Sequence, residues 1–204
     1  MGKFWGQMPS FDISFKKIEL PQVFVKKKLD RLNDEMIFFG GSFNPWHPGH
    51  RECLKICPTD NIIIVPDYNP WKETNYHGER CFWTEYHDLC MKLKDTSYAV
   101  YPGFWGLEDS NPTINWIPNI RVERKGLLLG DDSFCNILNW KDSQVLITFL
   151  STIYVIPRIH KRDEMESVKS KVLEIHPNMN IVILSEHEFM QESSTMIREQ
   201  VKNN

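Results

Sequence analysis

The sequence predicts an α/β domain: an open, doubly wound parallel sheet with helices on both faces. Three observations carry that expectation. Short apolar runs recur from Met36 onward. They are continuous rather than alternating and are mostly bounded by turn residues, the pattern of strands buried on both faces. Between several of them the apolar spacing becomes that of a helix. Strands alternating with helices fold into a parallel sheet with right-handed crossovers.

In chain order, residues 1–35 read as an N-terminal appendage. Phe11, Ile13 and Phe15 alternate weakly, and Lys26, Lys27 and Lys28 form a solvated run. The domain proper is expected over 36–204. Its strands are predicted at Met36–Phe39, Asn61–Val65, Tyr98–Tyr101, Gly126–Leu129, Ile153–Ile156 and Ile181–Leu184. Pro48 is placed to open a helix, since proline suits the first helical position. Phe82, Tyr86, Leu89 and Leu93 mark one face of a second helix. An apolar stripe runs from Leu138 to Leu150. Met165, Val168, Val172 and Ile175 mark a further helix over Glu164–Ile175.

Composition sets broad limits. The 204 residues can bury a core without a metal or disulfide staple. A net charge of −3 opposes broad binding to nucleic acid, which needs a basic face. No apolar run approaches the roughly 20 residues of a membrane span, and no secretory leader is evident. The five cysteines show no framework spacing, as expected of reduced thiols in a cytoplasmic protein. Homo-oligomer formation is left open.

The most informative stretch runs from Ile37 to His50. An apolar strand ends in Gly40 and Gly41, a short loop carries Ser42 and Phe43, and Pro48 begins a helix. Glycines at a strand end let backbone N–H groups approach a phosphate, and the helix offers its positive end to the same anion. His47 and His50, three residues apart, can share one face there. Two imidazoles in that place suit charge building on a phosphoryl group. Zinc held by His47, His50, Cys53 and Cys57 is disfavoured, because ten residues of helix span roughly 15 Å and zinc bonds are about 2.0–2.3 Å. Near the other end stands Ser193-Ser194-Thr195-Met196-Ile197-Arg198. Its hydroxyl residues can cap a helix, and Arg198 can form a forked bond to phosphate.

Together these strings resemble the signature of the H-x-G-H nucleotidyltransferases. Gly40-Gly41-Ser42-Phe43-Asn44-Pro45 is most similar to the nicotinate or nicotinamide mononucleotide adenylyltransferases, many of which have Asp where Asn44 stands. That family also ends in Ile-Ser-Ser-Thr-x-Ile-Arg, here with Glu192 in place of the first Ile. The resemblance implies a Rossmann-like nucleotidyltransferase fold. It implies that His47, His50 and Arg198 stabilise the transition state. Gly40, Gly41, Ser42, Phe43, Ser193, Ser194 and Thr195 would then hold ATP. Further matches follow. Pro66 to Lys72 is similar to a proline-rich loop ending in lysine, with Lys72 as a phosphate contact or an ordinary surface lysine. Leu127 to Asp132 is similar to a strand ending in Gly-x-Asp, which makes Gly130 and Asp132 adenosine contacts; a magnesium-binding Asp131–Asp132 pair is the lesser alternative. Trp140 is equally a ligand platform or core, and Val155-Ile156-Pro157-Arg158 matches a strand ending in arginine. Between Glu108 and Glu123 the match weakens. Thr113 fits the pyridine-side segment, whereas Trp116 replaces a threonine and is an indole able to stack on a pyridine ring.

The expected reaction is in-line attack of a pyridine mononucleotide phosphate on the α-phosphorus of ATP, with Mg²⁺ accompanying ATP. No protein metal ligand and no covalent intermediate are expected. Three rivals remain. One is a superfamily transferase acting on phosphopantetheine, a flavin precursor or a CTP-dependent substrate. The second is a non-catalytic nucleotide-binding protein. The third, a fragment of a class I aminoacyl-tRNA synthetase, is disfavoured by length.

Overall fold

The structure is a computed structural model. It describes residues 35–43, 45–66, 89–93, 96, 98–100, 112–120, 122–190 and 196–197. Six strands appear: β1 (Glu35–Gly41), β2 (Ile62–Pro66), β3 (Ala99–Val100), β4 (Arg124–Gly130), β5 (Thr152–Ile156) and β6 (Asn180–Ile183). Among the described residues, the helices α1 (Pro48–Ile56), α2 (Asp131–Cys135), α3 (Ser143–Thr148) and α4 (Arg162–Ile175) join them. All strand pairs are parallel, in the order β3-β2-β1-β4-β5-β6. This is the doubly wound order whose ligand crevice lies where the winding reverses, here between β1 and β4.

Alternate residues of each strand feed two cores, as expected of a sheet covered on both faces. Met36 and Phe38 join a cluster with Phe134, Leu146, Met165 and Val172 from α2, α3 and α4. Ile37 and Phe39 join the opposite cluster with Cys53 and Leu54 of α1 and with Leu89 and Leu93. Leu89 lies in a helical turn, and the preceding part of that predicted helix lies outside the described residues. At the amino ends of the strands, Glu35 accepts hydrogen bonds from the hydroxyls of Ser151 and Thr152, tying β1 to β5 across β4.

Every predicted strand is present within a residue or two. The stripe at Leu138–Leu150 is not one helix. It breaks into a 3-10 turn at Ile137–Asn139 and the short α3, separated by Asp142 at φ 48°. Aspartate tolerates that left-handed conformation better than most residues, and the Ser143 hydroxyl donates to the Leu138 carbonyl across the break at 2.8 Å.

Gly126 is fixed by close packing inside the sheet. A Cβ there would stand 2.5 Å from Ile37 Cδ1 and 2.8 Å from the Thr152 carbonyl oxygen. The latter is backbone and cannot swing aside. Gly126→Ala is therefore expected to cost about 2–3 kcal/mol of stability through overpacking, measured as a lower midpoint in urea unfolding.

Candidate active site

β1 and β4 open a crevice between them. Their pairing stops at Phe39–Leu128, although β1 continues to Gly41 beside β2 and β4 continues to Gly130 beside β5. The last two residues of each strand therefore flank the switch point without joining one another. Gly40 beside it is open: a Cβ placed on it would have no neighbour within 4 Å. Gly41 is required for a different reason. A Cβ there would lie 3.1 Å from the Phe43 ring, which folds back over it.

Phe43 turns the chain with φ 46°. A bulky residue in that region is strained, and such strain is held only where packing over-determines it. The packing is aromatic. The Phe43 ring meets Phe39 edge-on at 5.1 Å and Trp46 at 5.4 Å. The connection then delivers His47 as the extended N-cap of α1, with Pro48 at the first helical position. His47 is buried, and its ring lies 3.8 Å from that of His50 at a 35° tilt. The His47 backbone N–H donates to His50 Nδ1 at 3.4 Å, which places the His50 proton on Nε2. Gly49 makes this pairing sterically feasible, since a Cβ there would stand 3.0 Å from the His47 ring.

Two further segments converge on this corner. The α2 helix starts at the end of β4, and its first residue, Asp131, is fully buried. Asp131 Oδ2 accepts the consecutive backbone N–H groups of Arg158, Ile159 and His160 at 2.7, 2.7 and 2.8 Å. Such charge-assisted bonds are short and strong, so the loop after β5 is tied to the end of β4. Arg158 Nε in turn donates to the Met190 carbonyl at 3.4 Å. The 187–190 segment docks on α1: His187 Nε2 is 3.9 Å from Cys53 Sγ, and the Phe189 carbonyl oxygen is 3.2 Å from a Cβ placed on Gly49. The chain that leads into residues 191–198 thus passes between the two histidines' helix and Arg158.

A family model described as cytidylyltransferase-like matches residues 38–200 of the chain. The chain belongs to the cytidylyltransferase-like family. Among its relatives, a probable nicotinate-nucleotide adenylyltransferase of Leptospira interrogans is 29% identical over 156 residues, 67% of this chain and 73% of that protein. One of the same name from Fusobacterium nucleatum is 29% identical over 180 residues, 83% and 88% of the two chains. Among solved structures, the Plasmodium falciparum nicotinic acid mononucleotide adenylyltransferase complexed with NaAD superposes with a TM-score of 0.57 at 20% identity, covering 82% of this chain and 83% of that one.

Within this cytidylyltransferase-like domain, the structure brings together Gly40, Gly41, Ser42, Phe43, His47, His50, Gly130 and Asp132 at the carboxyl ends of β1 and β4. Asp132 is exposed, and its Oδ1 lies 2.6 Å from a Cβ placed on Gly130, so the carboxylate folds over the glycine. Of the Asp131–Asp132 pair, Asp131 Oδ2 is committed to three backbone donors, and its Oδ1 is buried with no partner among the described residues. The zinc arrangement fails as the helix geometry requires: His47 and Cys57 cap opposite ends of α1. Trp116, expected as a pyridine platform, sits within the core cluster. It is buried and packs against Phe38 at 5.3 Å in a T-shaped pair. Trp140 is half-buried against the same cluster. Thr113 opens a 3-10 turn beside it, with Lys141 bonded to Asn115 at 3.3 Å. Lys72, Ser193, Ser194, Thr195 and Arg198 lie outside the described residues.

Sequence reasoning missed Asp131, Trp46 and the docking of residues 187–190. Asp131 had a signal, an acidic residue directly after an apolar strand, but Asp132 matched the motif and drew the assignment. Trp46 carries a buried Nε1 with no acceptor among the described residues, an omission that costs about 1–3 kcal/mol in a folded protein.

Burial also sets the cysteine chemistry beside the site. It pushes the Cys53 thiol up to about 12 and the Cys57 thiol up to about 11. A raised thiol pKa leaves less thiolate at any given pH, and thiolate is the reactive form. At pH 8 the reactive fraction is about 10⁻⁴ for Cys53 and about 10⁻³ for Cys57. Both are expected to resist iodoacetamide in the native protein and to alkylate once it is unfolded, as read by peptide mass.

Proposed function

We propose that this chain is an adenylyltransferase that joins ATP to nicotinate or nicotinamide mononucleotide, forming the dinucleotide of NAD biosynthesis and releasing pyrophosphate. The observation that carries the reading is the convergence at one crevice of an open glycine strand end, a stacked histidine pair and the segment leading to Ser193–Arg198. Such a corner suits a reaction that needs positioning and electrostatic stabilisation rather than a protein nucleophile.

In this reading the triphosphate lies along Gly40–Phe43 and the start of α1. His50 donates from Nε2 to the phosphoryl oxygens as charge develops, and His47 braces it. Arg198 supplies a forked cation from the C-terminal side, with Ser193, Ser194 and Thr195 at the helix start. Gly130 and Asp132 hold the adenosine ribose. Lys72, Thr113 and Trp140 belong to the acceptor side. Mg²⁺ enters with ATP and offsets triphosphate charge. Among the described residues, no helix is long and apolar enough to cross a membrane, and the reading places the reaction in the cytoplasm.

Nicotinate mononucleotide is the first acceptor to test, because the relatives named above carry nicotinate in their names and the solved neighbour holds NaAD. The decisive assay offers ATP with each mononucleotide separately and measures pyrophosphate and dinucleotide together. Both products are expected with at least one mononucleotide. ATP binding without pyrophosphate from either overturns the proposal, and pyrophosphate with a phosphopantetheine or flavin precursor instead moves the chain to the rival transferase class.

A further inference from the structure

We infer that Trp46 is a positioning residue for the reaction, acting through His50. This rests on the adenylyltransferase reading for its rate effects, though its geometric part stands alone. The Trp46 ring lies 5.1 Å from the His50 ring at a shallow 33° tilt. His47 lies against the same imidazole at 35°, and Phe43 meets it edge-on at 5.0 Å and 79°. Phe39 also meets it edge-on at 6.3 Å, so four rings and one backbone N–H on Nδ1 define the orientation of His50. Of the four, Trp46 supplies the largest flat surface.

Trp46 belongs to the core cluster that holds Phe39, Phe43 and Leu54. It is buried, and its indole N–H finds no acceptor among the described residues. Buried indoles ordinarily have a partner. The strained turn at Phe43 sets this ring against His50. With Trp46 on its face, the imidazole cannot swing about χ1 away from the crevice, so Nε2–H stays directed where a phosphoryl oxygen would sit. Freezing a donor before the reaction lowers the barrier, because no reorganisation is left for the transition state.

The test uses the full chain with Trp46→Leu and Trp46→Phe, each alone and in a His50→Ala background. Trp46→Leu is expected to lower kcat about tenfold with KM for ATP within about twofold, the scale of one aromatic pairing. Trp46→Phe, which keeps a flat ring and loses the N–H, is expected to recover most of that rate. In the His50→Ala background, Trp46→Leu is expected to change nothing further, since the group it positions is gone. By NMR, the His50 Cε1–H signal is expected to move downfield in Trp46→Leu as the indole ring current is removed, a readout independent of turnover. A wild-type rate in Trp46→Leu overturns the inference, as does an equal loss in the His50→Ala background or an unmoved His50 signal. Absence of pyrophosphate release in the wild type would instead remove the adenylyltransferase reading and leave the NMR outcome to decide the geometry.

Discussion

His50→Ala is expected to lower kcat about 100- to 1,000-fold, the loss seen when one preorganised donor to a developing oxyanion is removed. The fold should survive, because His50 is only half-buried at the first turn of α1. KM for ATP should change far less than kcat, since the donor acts on charge that appears in the transition state. Steady-state kinetics with the preferred mononucleotide, beside a urea unfolding curve, separate the two effects. Near-normal turnover with an intact fold would remove His50 from the reaction.

The second large effect concerns Asp131. Its carboxylate holds three consecutive N–H groups of the loop after β5. Each such bond to a charged group contributes about 1.5–3 kcal/mol, and the losses are not additive. Asp131→Ala leaves those donors unsatisfied in a buried corner and is expected to destabilise the chain by about 3 kcal/mol. Asp131→Asn keeps one acceptor oxygen and should cost less. Arg158, released from the β4 end, loses its bridge to Met190, and KM for ATP should rise about tenfold as that wall of the crevice loosens. Urea midpoints and ATP titration read the two parts. A change below about 0.5 kcal/mol, the scale of an ordinary surface substitution, would mean that the three bonds do not hold the loop.

The sheet was legible in the sequence because its strands are continuous apolar runs, a pattern that only burial on both faces explains. β1, with Ile37, Phe38 and Phe39, shows this most clearly. The α4 helix was legible because Met165, Val168, Val172 and Ile175 keep one period throughout. The Leu138–Leu150 stripe misled because periodicity does not register a left-handed residue, and Asp142 supplies one. The strand order could not be read locally, yet it turned the double glycine from a turn signal into one wall of a crevice. Within the site, His47 and His50 were legible because they sit three residues apart at a proline-started helix. The supports were not. Asp131 acts on residues 27 to 29 positions away, and Trp46 acts through ring geometry, neither of which leaves a spacing in the chain. Trp116 was hard to assign because an indole offers the same chemistry to a core as to a ligand, and only burial distinguishes them.

The central claim is that the histidine corner and the C-terminal arginine act on one triphosphate, and a double-mutant cycle tests it most directly. His50→Ala, Arg198→Ala and the double variant are compared by kcat/KM for ATP at saturating mononucleotide. Two groups gripping the same transferring phosphoryl group should show a coupling of about 1 kcal/mol or more, with the double variant less impaired than the product of the single losses. Strictly multiplicative losses would place the two residues at separate sites and contradict the account.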